Sequence, residues 1–139
     1  MKDDPEMLLP DTLQSAACRS GGEWGWQPET IPLVIDEAEK LGLCNVGGQL
    51  QFLMPEGTCE CYWVEVNAIK SEPDGLTWAE RVARSATAAR QQMVDISRRY
   101  DFIEEGRTAF PDPFAAYEAT GGDVRDCMCF IWYLQADCP

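Results

Sequence analysis

Two Cys-x-Cys pairs, Cys59/Cys61 and Cys127/Cys129, form the sharpest chemistry-bearing pattern in the chain. Four thiolates would suit a structural zinc ion. Strand geometry argues against that use. Residues i and i+2 of a regular strand lie about 6.6 Å apart, whereas two sulfurs held ~2.3 Å from one zinc are at most ~4.6 Å apart. The usual spacing of two or more intervening residues is also missing. The pairs read as core cysteines sharing a strand face, and no metal is expected. Histidine, the commonest general base and metal ligand, is absent. Neighbouring carboxylates occur as Asp36/Glu37/Glu39 and Glu60/Glu65, but among 24 acids some must be close by chance, so a glycosidase-like pair has no specific support. No P-loop, dinucleotide fingerprint or Gly-x-Ser-x-Gly elbow is present. The expectation is a protein that is not an enzyme, with no catalytic residues and no cofactor.

Charge gives that expectation a direction. The chain carries 24 acidic and 11 basic residues in 139, a net charge of −13. Residues 1–76 hold 14 acids and 4 bases; residues 77–110 hold 5 acids and 6 bases. A field of this sign repels nucleic acid and anionic membrane and attracts cationic surfaces. The arginines at 81, 84, 90, 98 and 99 are interleaved with acids, so pairing within the molecule is the economical use for them. No nucleic acid and no membrane is expected as a partner. The acidic start Met1-Lys2-Asp3-Asp4-Pro5-Glu6 lacks the apolar stretch of a signal peptide. Together with the absence of any apolar run near ~20 residues, this points to a cytoplasmic protein. In that setting the seven cysteines read as reduced, buried thiols.

The elements that must position any site follow from periodicity. At 139 residues the length suits a single domain spanning 1–139. Asp11 is placed to N-cap a short helix ending before Gly21-Gly22, and Gly21 to Pro28 reads as a loop holding Trp24 and Trp26. Thr30 is placed to cap a helix with Ile31, Val34, Ile35, Ala38 and Leu41 on one side. Residues 46–67 read as a β-hairpin turning at Pro55-Glu56-Gly57-Thr58. Period two puts Leu50, Phe52 and Met54 on one face, Glu60 with Tyr62, Val64 and Val66, and Glu65 with Cys59, Cys61 and Trp63. Thr77 caps the strongest helix, 77–105, with a stripe running from Trp78 through Val82, Ala86, Ala89, Met93, Ile96 and Tyr100 to Ile103. A short helix over 113–119 follows. The run 127–134 is apolar throughout and favours a buried strand, a buried helix being the alternative. The class is α+β, a small antiparallel sheet packed with the long helix and shorter ones.

Binding candidates are aromatics beside acids. Trp24 and Trp26, next to Glu23, suit either partner anchors or anchors of their loop onto the core. Trp63 lies between Glu60 and Glu65, and Glu56 sits in the hairpin turn. The candidate partner-binding set is therefore Glu23, Trp24, Trp26, Glu56, Glu60, Trp63 and Glu65.

The stretch Gly47-Gly-Gln-Leu-Gln-Phe-Leu-Met-Pro-Glu-Gly-Thr-Cys-Glu-Cys-Tyr-Trp63, preceded by Trp24-Gly-Trp26, resembles the small acidic immunity proteins of bacterial polymorphic toxin systems, of the type VI secretion kind or similar. Within them the likeness is to α+β immunity proteins paired with restriction-endonuclease-type nuclease toxins. It covers the layout of residues 20–135 and transfers no individual residue. It implies stoichiometric binding to a cognate toxin with a cationic surface, in the cytoplasm of the producing cell. A secretion chaperone that cradles an effector across a dimer, with the long helix as interface, is the alternative. A small thiol or zinc enzyme built on the Cys-x-Cys pairs is the other.

Overall fold

Pro55-Glu56 turns the chain between two strands of 11 residues each, and the rest of the molecule is arranged around that hairpin. The computed structural model describes residues 4–137. Met1–Asp3 of the acidic N-terminal stretch, and Cys138 of the seven cysteines, lie outside the described residues. A 3₁₀ turn at Pro5–Leu8 precedes α1 (Asp11–Ala16), β1 (Cys18–Ser20), β2 (Glu23–Trp26) and α2 (Ile31–Lys40). The hairpin is β3 (Cys44–Met54) and β4 (Gly57–Asn67). Then come α3 (Trp78–Arg99), α4 (Phe102–Ala109), α5 (Pro111–Ala119) and β5 (Met128–Gln135). The five strands form one antiparallel sheet in the order β1-β2-β5-β3-β4. This is the α+β class expected, and residues 128–135 are a strand rather than a helix. No described helix is long and apolar enough to cross a membrane.

Helices cover the sheet face that carries Leu50, Phe52, Phe130 and Trp132, all fully buried. Val82, Ala86, Ala89 and Met93 of the α3 stripe are buried in the same core. Asn45, buried at the start of β3, ties the layers together. Its N–H donates to Ser85 Oγ of α3 at 3.0 Å, and its Oδ1 accepts from Trp132 Nε1 at 2.9 Å. Its Nδ2 reaches the Ile35 carbonyl of α2. A buried polar group with its partners in place fixes one packing arrangement.

Several expectations are corrected. Trp24 and Trp26 belong to a strand, not a loop. Thr30 ends a 3₁₀ turn and makes no side-chain cap to α2. Asp11 is the first residue of α1, with Pro10 in the cap position. The helix expected over 77–105 breaks at Tyr100, which is extended (φ −121°, ψ 140°). Asp101 restarts it, its carboxylate accepting the Glu104 N–H at 3.2 Å. The Thr77–Glu80 capping box forms at the other end of α3.

The break lets α4 bring Gly106 against Phe52 and Phe114. A Cβ at Gly106 would lie 2.5 Å from the Phe114 ring and 2.6 Å from that of Phe52. Gly106→Ala therefore exchanges a helix-propensity gain of about 1 kcal/mol for overpacking of about 1–3 kcal/mol. A net loss of stability is expected in thermal denaturation; a higher Tm would show that the two rings have room to move.

Glu6 gives the fold a pH-sensitive corner. It is buried, and its carboxylate accepts the Leu134 N–H at 3.2 Å. Burial raises its pKa above the usual carboxylate value, with backbone hydrogen bonds pulling the other way. The folded state thus holds this proton more tightly than the unfolded chain does. That contribution is full below the unfolded pKa and is lost as pH rises through the folded one. Glu6→Gln should match the parent near about pH 4 and exceed its stability at neutral pH, measured by urea unfolding at both. Equal stability at both values would assign Glu6 no net cost.

Candidate interaction surface

The second sheet face is built by register. Gln49 pairs with Ile131 on one side and Glu65 on the other; Gln51 pairs with Cys129 and Glu60. Residues paired across strands share a face, so Glu60 and Glu65 stand on the same side although they are an odd number apart. The cause is a register shift between Gln49 and Leu50, which takes β4 from Cys61 straight to Glu65. The three residues Tyr62 to Val64 form the resulting bulge. This overturns the alternation expected for β4: Val64 and Val66 go to the core with Cys59 and Cys61.

Glu23 reaches the same face from β2. Gly25 pairs with Ile131, and two residues on, the Tyr133 hydroxyl donates to the Glu23 carboxylate. Gln49 Nε2 donates in turn to Tyr133 Oη at 3.2 Å. Burial, then the bond to Glu23, hold the Tyr133 phenol above its ordinary pKa, so it stays a neutral donor. Ile131 and Cys129 are fully buried on this side yet stand outside the main hydrophobic cluster. Gln51 is buried beside them, its amide without a partner among the described residues.

Cation supply separates the two sides of the molecule. Arg81 pairs with Glu72, Arg90 with Asp36 and Glu39, Arg107 with Glu104 and Glu118, and Lys40 with Glu37. The helix arginines are thus partly spent on internal pairs. No ion pair among the described residues reaches Glu23, Glu60 or Glu65.

The other candidates lie elsewhere. Glu56 is exposed at the hairpin tip. Trp24 and Trp26 are buried on the helix-covered face, stacked with centroids 6.3 Å apart. Trp26 Nε1 donates to the Leu13 carbonyl at 2.7 Å, and Trp24 Nε1 to Asp4 at 3.1 Å. They anchor the N-terminal segment and cannot fill a partner's pocket. Trp63 is half-buried, its Nε1 bonded to Glu105 of α4 at 2.8 Å. Trp26→Phe should cost about 1–3 kcal/mol of stability through the orphaned Leu13 carbonyl and leave partner capture unchanged; weakened capture at equal stability would restore Trp26 to the interface. The aromatic left accessible is Tyr62, 70 % exposed and edge-on to Trp63. Period two already sets Tyr62 on the side of Glu60; the bulge that begins with it is not legible in that period.

The cysteines divide. Cys44, Cys59, Cys61 and Cys127 are free and buried. Burial raises the thiols of Cys44 and Cys59 and pushes Cys61 up to about 12, so these remain neutral at pH 7. Cys18 and Cys129 form a disulfide instead, which corrects the reading of all seven as reduced. Cys129 faces away from Cys59 and Cys61, so the two Cys-x-Cys pairs do not converge on one point.

No model of a known family, no curated protein and no solved structure matches this chain. Fold and surface define a class: an α+β protein whose single sheet is packed by helices on one face and presents on the other acids that form no ion pair among the described residues.

Proposed function

We propose that this protein is an immunity protein, a non-catalytic inhibitor that captures a cationic toxin one to one. The observation supporting the reading is the set Glu23, Glu60 and Glu65, gathered on one sheet face and engaged in no ion pair among the described residues. A nuclease holds phosphates with a basic surface, and an acidic face can occupy the same surface. Complementary charge speeds capture above the neutral ~10⁵–10⁶ M⁻¹s⁻¹, and speed matters when the target is lethal. Tyr62 is the anchor this surface offers in place of Trp24 and Trp26. The middle of the apolar stripe that a chaperone dimer would use, Val82, Ala86, Ala89 and Met93, is buried within this chain.

The reading sets capture in the cytoplasm. The four free cysteines among the described residues fit a reducing compartment, while the Cys18–Cys129 bond fits an oxidising one. Trapping thiols with an alkylating agent at lysis, then mapping the bond by mass spectrometry, assigns the compartment. For the function itself, the tagged protein is purified from its host at low and high salt. A basic chain held one to one, toxic alone and harmless with this protein, supports the reading; an effector held by two copies, or no partner at either salt, removes it.

A further inference from the structure

The sheet has two edges, and they are finished differently. The β1 edge is three residues long and is bonded to β5 through Cys18–Cys129. The β4 edge is 11 residues long and, among the described residues, pairs with β3 alone. Its far end is closed by Gln92 of α3, whose Oε1 accepts the Asn67 N–H at 2.8 Å while its Nε2 donates to the Asn67 carbonyl at 3.0 Å. That pair of bonds imitates a neighbouring strand. The bulge at 62–64 interrupts the middle. Gly57–Cys61 remains, a regular stretch paired with β3 inside and, among the described residues, with no strand outside. Unpaired strand edges are templates for another strand.

The surroundings of this stretch differ on its two sides. On the side of Cys59 a groove of about 400 Å³ runs between the hairpin and α5, lined by Met54, Cys59, Phe110, Pro113 and Tyr117, with Glu56 also on its wall. On the other side stand Glu60 and, past the bulge, Glu65, both exposed. A strand laid along this edge would turn alternate side chains toward each side.

We propose that Gly57–Cys61 takes an extended segment of the partner as a sixth strand, one that alternates apolar and basic residues. The apolar ones enter the groove and the basic ones meet Glu60 and Glu65. This deepens the toxin-binding reading and rests on it. A second copy of the chain suits the edge poorly, because two acidic β4 strands would bring like charges together.

The probe is a synthetic peptide of about six residues alternating arginine and valine, tested against the intact protein. A control has the same composition in two blocks. Two further versions carry N-methyl groups on alternate residues, in complementary patterns, so that only one set of peptide amides is blocked in each. Binding and amide exchange are followed by NMR. The alternating peptide should bind at least about tenfold tighter than the block peptide, slow exchange within Gly57–Cys61, and be abolished by one N-methyl pattern only. Glu60→Lys should weaken it about tenfold. Equal binding of all four peptides, no binding, or protection of Gly57–Cys61 by self-association without peptide would each overturn the proposal. A basic toxin still captured through Glu23, Glu60 and Glu65 in any of those cases would leave the function standing and the strand addition refuted.

Discussion

Changing Glu23→Gln, Glu60→Lys and Glu65→Lys together should slow association with a cationic partner by about 10- to 100-fold at low salt, with the fold intact. The three carboxylates act as one patch because register and bulge place them on one face. Glutamine is chosen at position 23 to keep an acceptor for the Tyr133 hydroxyl. Glu60 and Glu65 are exposed, and surface changes of this kind shift stability by no more than about 0.5 kcal/mol each. The effect should shrink as salt rises, since at physiological ionic strength screening sets in over ~8 Å. The control is Glu29→Lys with Asp112→Lys, two exposed acids on other elements. If that pair slows capture equally, net charge and not this face does the work, and the assignment of the surface fails. Stopped-flow association at two salt concentrations, with circular dichroism on each variant, makes the comparison.

How far the sequence foretells this molecule depends on the range of the interaction. Periodicity within one element is local, so the buried side of β3 (Leu50, Phe52) and the stripe of α3 are legible. So is the run that becomes β5, apolar from Met128 to Leu134 with β-formers at 130–133. Strands β1 and β2 are not: Cys18-Arg-Ser and Glu23-Trp-Gly-Trp are too short for a periodic signal, and they are held by pairing, β2 with β5 and β1 with β2. The same limit hides Glu23, whose place on the acidic face exists only through that pairing. Tyr100 shows a different failure. Its apolar character continues the helical stripe, yet the chain turns there because Asp101 caps a new helix better than it continues the old one. Asn45 gives no pattern at all. Its role is set by Ser85, Ile35 and Trp132, residues 10 to 87 positions away. The acids at 60 and 65 are the instructive case: strict alternation separates them, and a bulge that costs regular pairing reunites them.

The second large effect is covalent. Cys18→Ser with Cys129→Ala should cost about 2–5 kcal/mol of stability, because the bridge joins residues 111 positions apart. A loop that long constrains most of the unfolded chain, and in the chain-entropy account that constraint is where the stabilisation arises. The unfolded variant exposes more surface than the cross-linked parent, so its urea m-value should rise as its midpoint falls. The bridge crosses β2 at Gly25, where a Cβ would sit 2.5 Å from Cys129 Sγ and 2.9 Å from the Phe130 carbonyl oxygen. Only a residue without a side chain leaves that path clear. Functional cost should accompany the loss. The bond ties the β1–β2 hairpin, and with it Glu23, to β5 on the acidic face. Reducing the parent protein should therefore reproduce both the lower midpoint and slower capture of a cationic partner, whereas the double variant should not respond to reductant. A midpoint unchanged by reductant or by the substitutions would mean that noncovalent packing of Trp24 and Trp26 already holds the hairpin in place, and that the acidic face does not need the bridge.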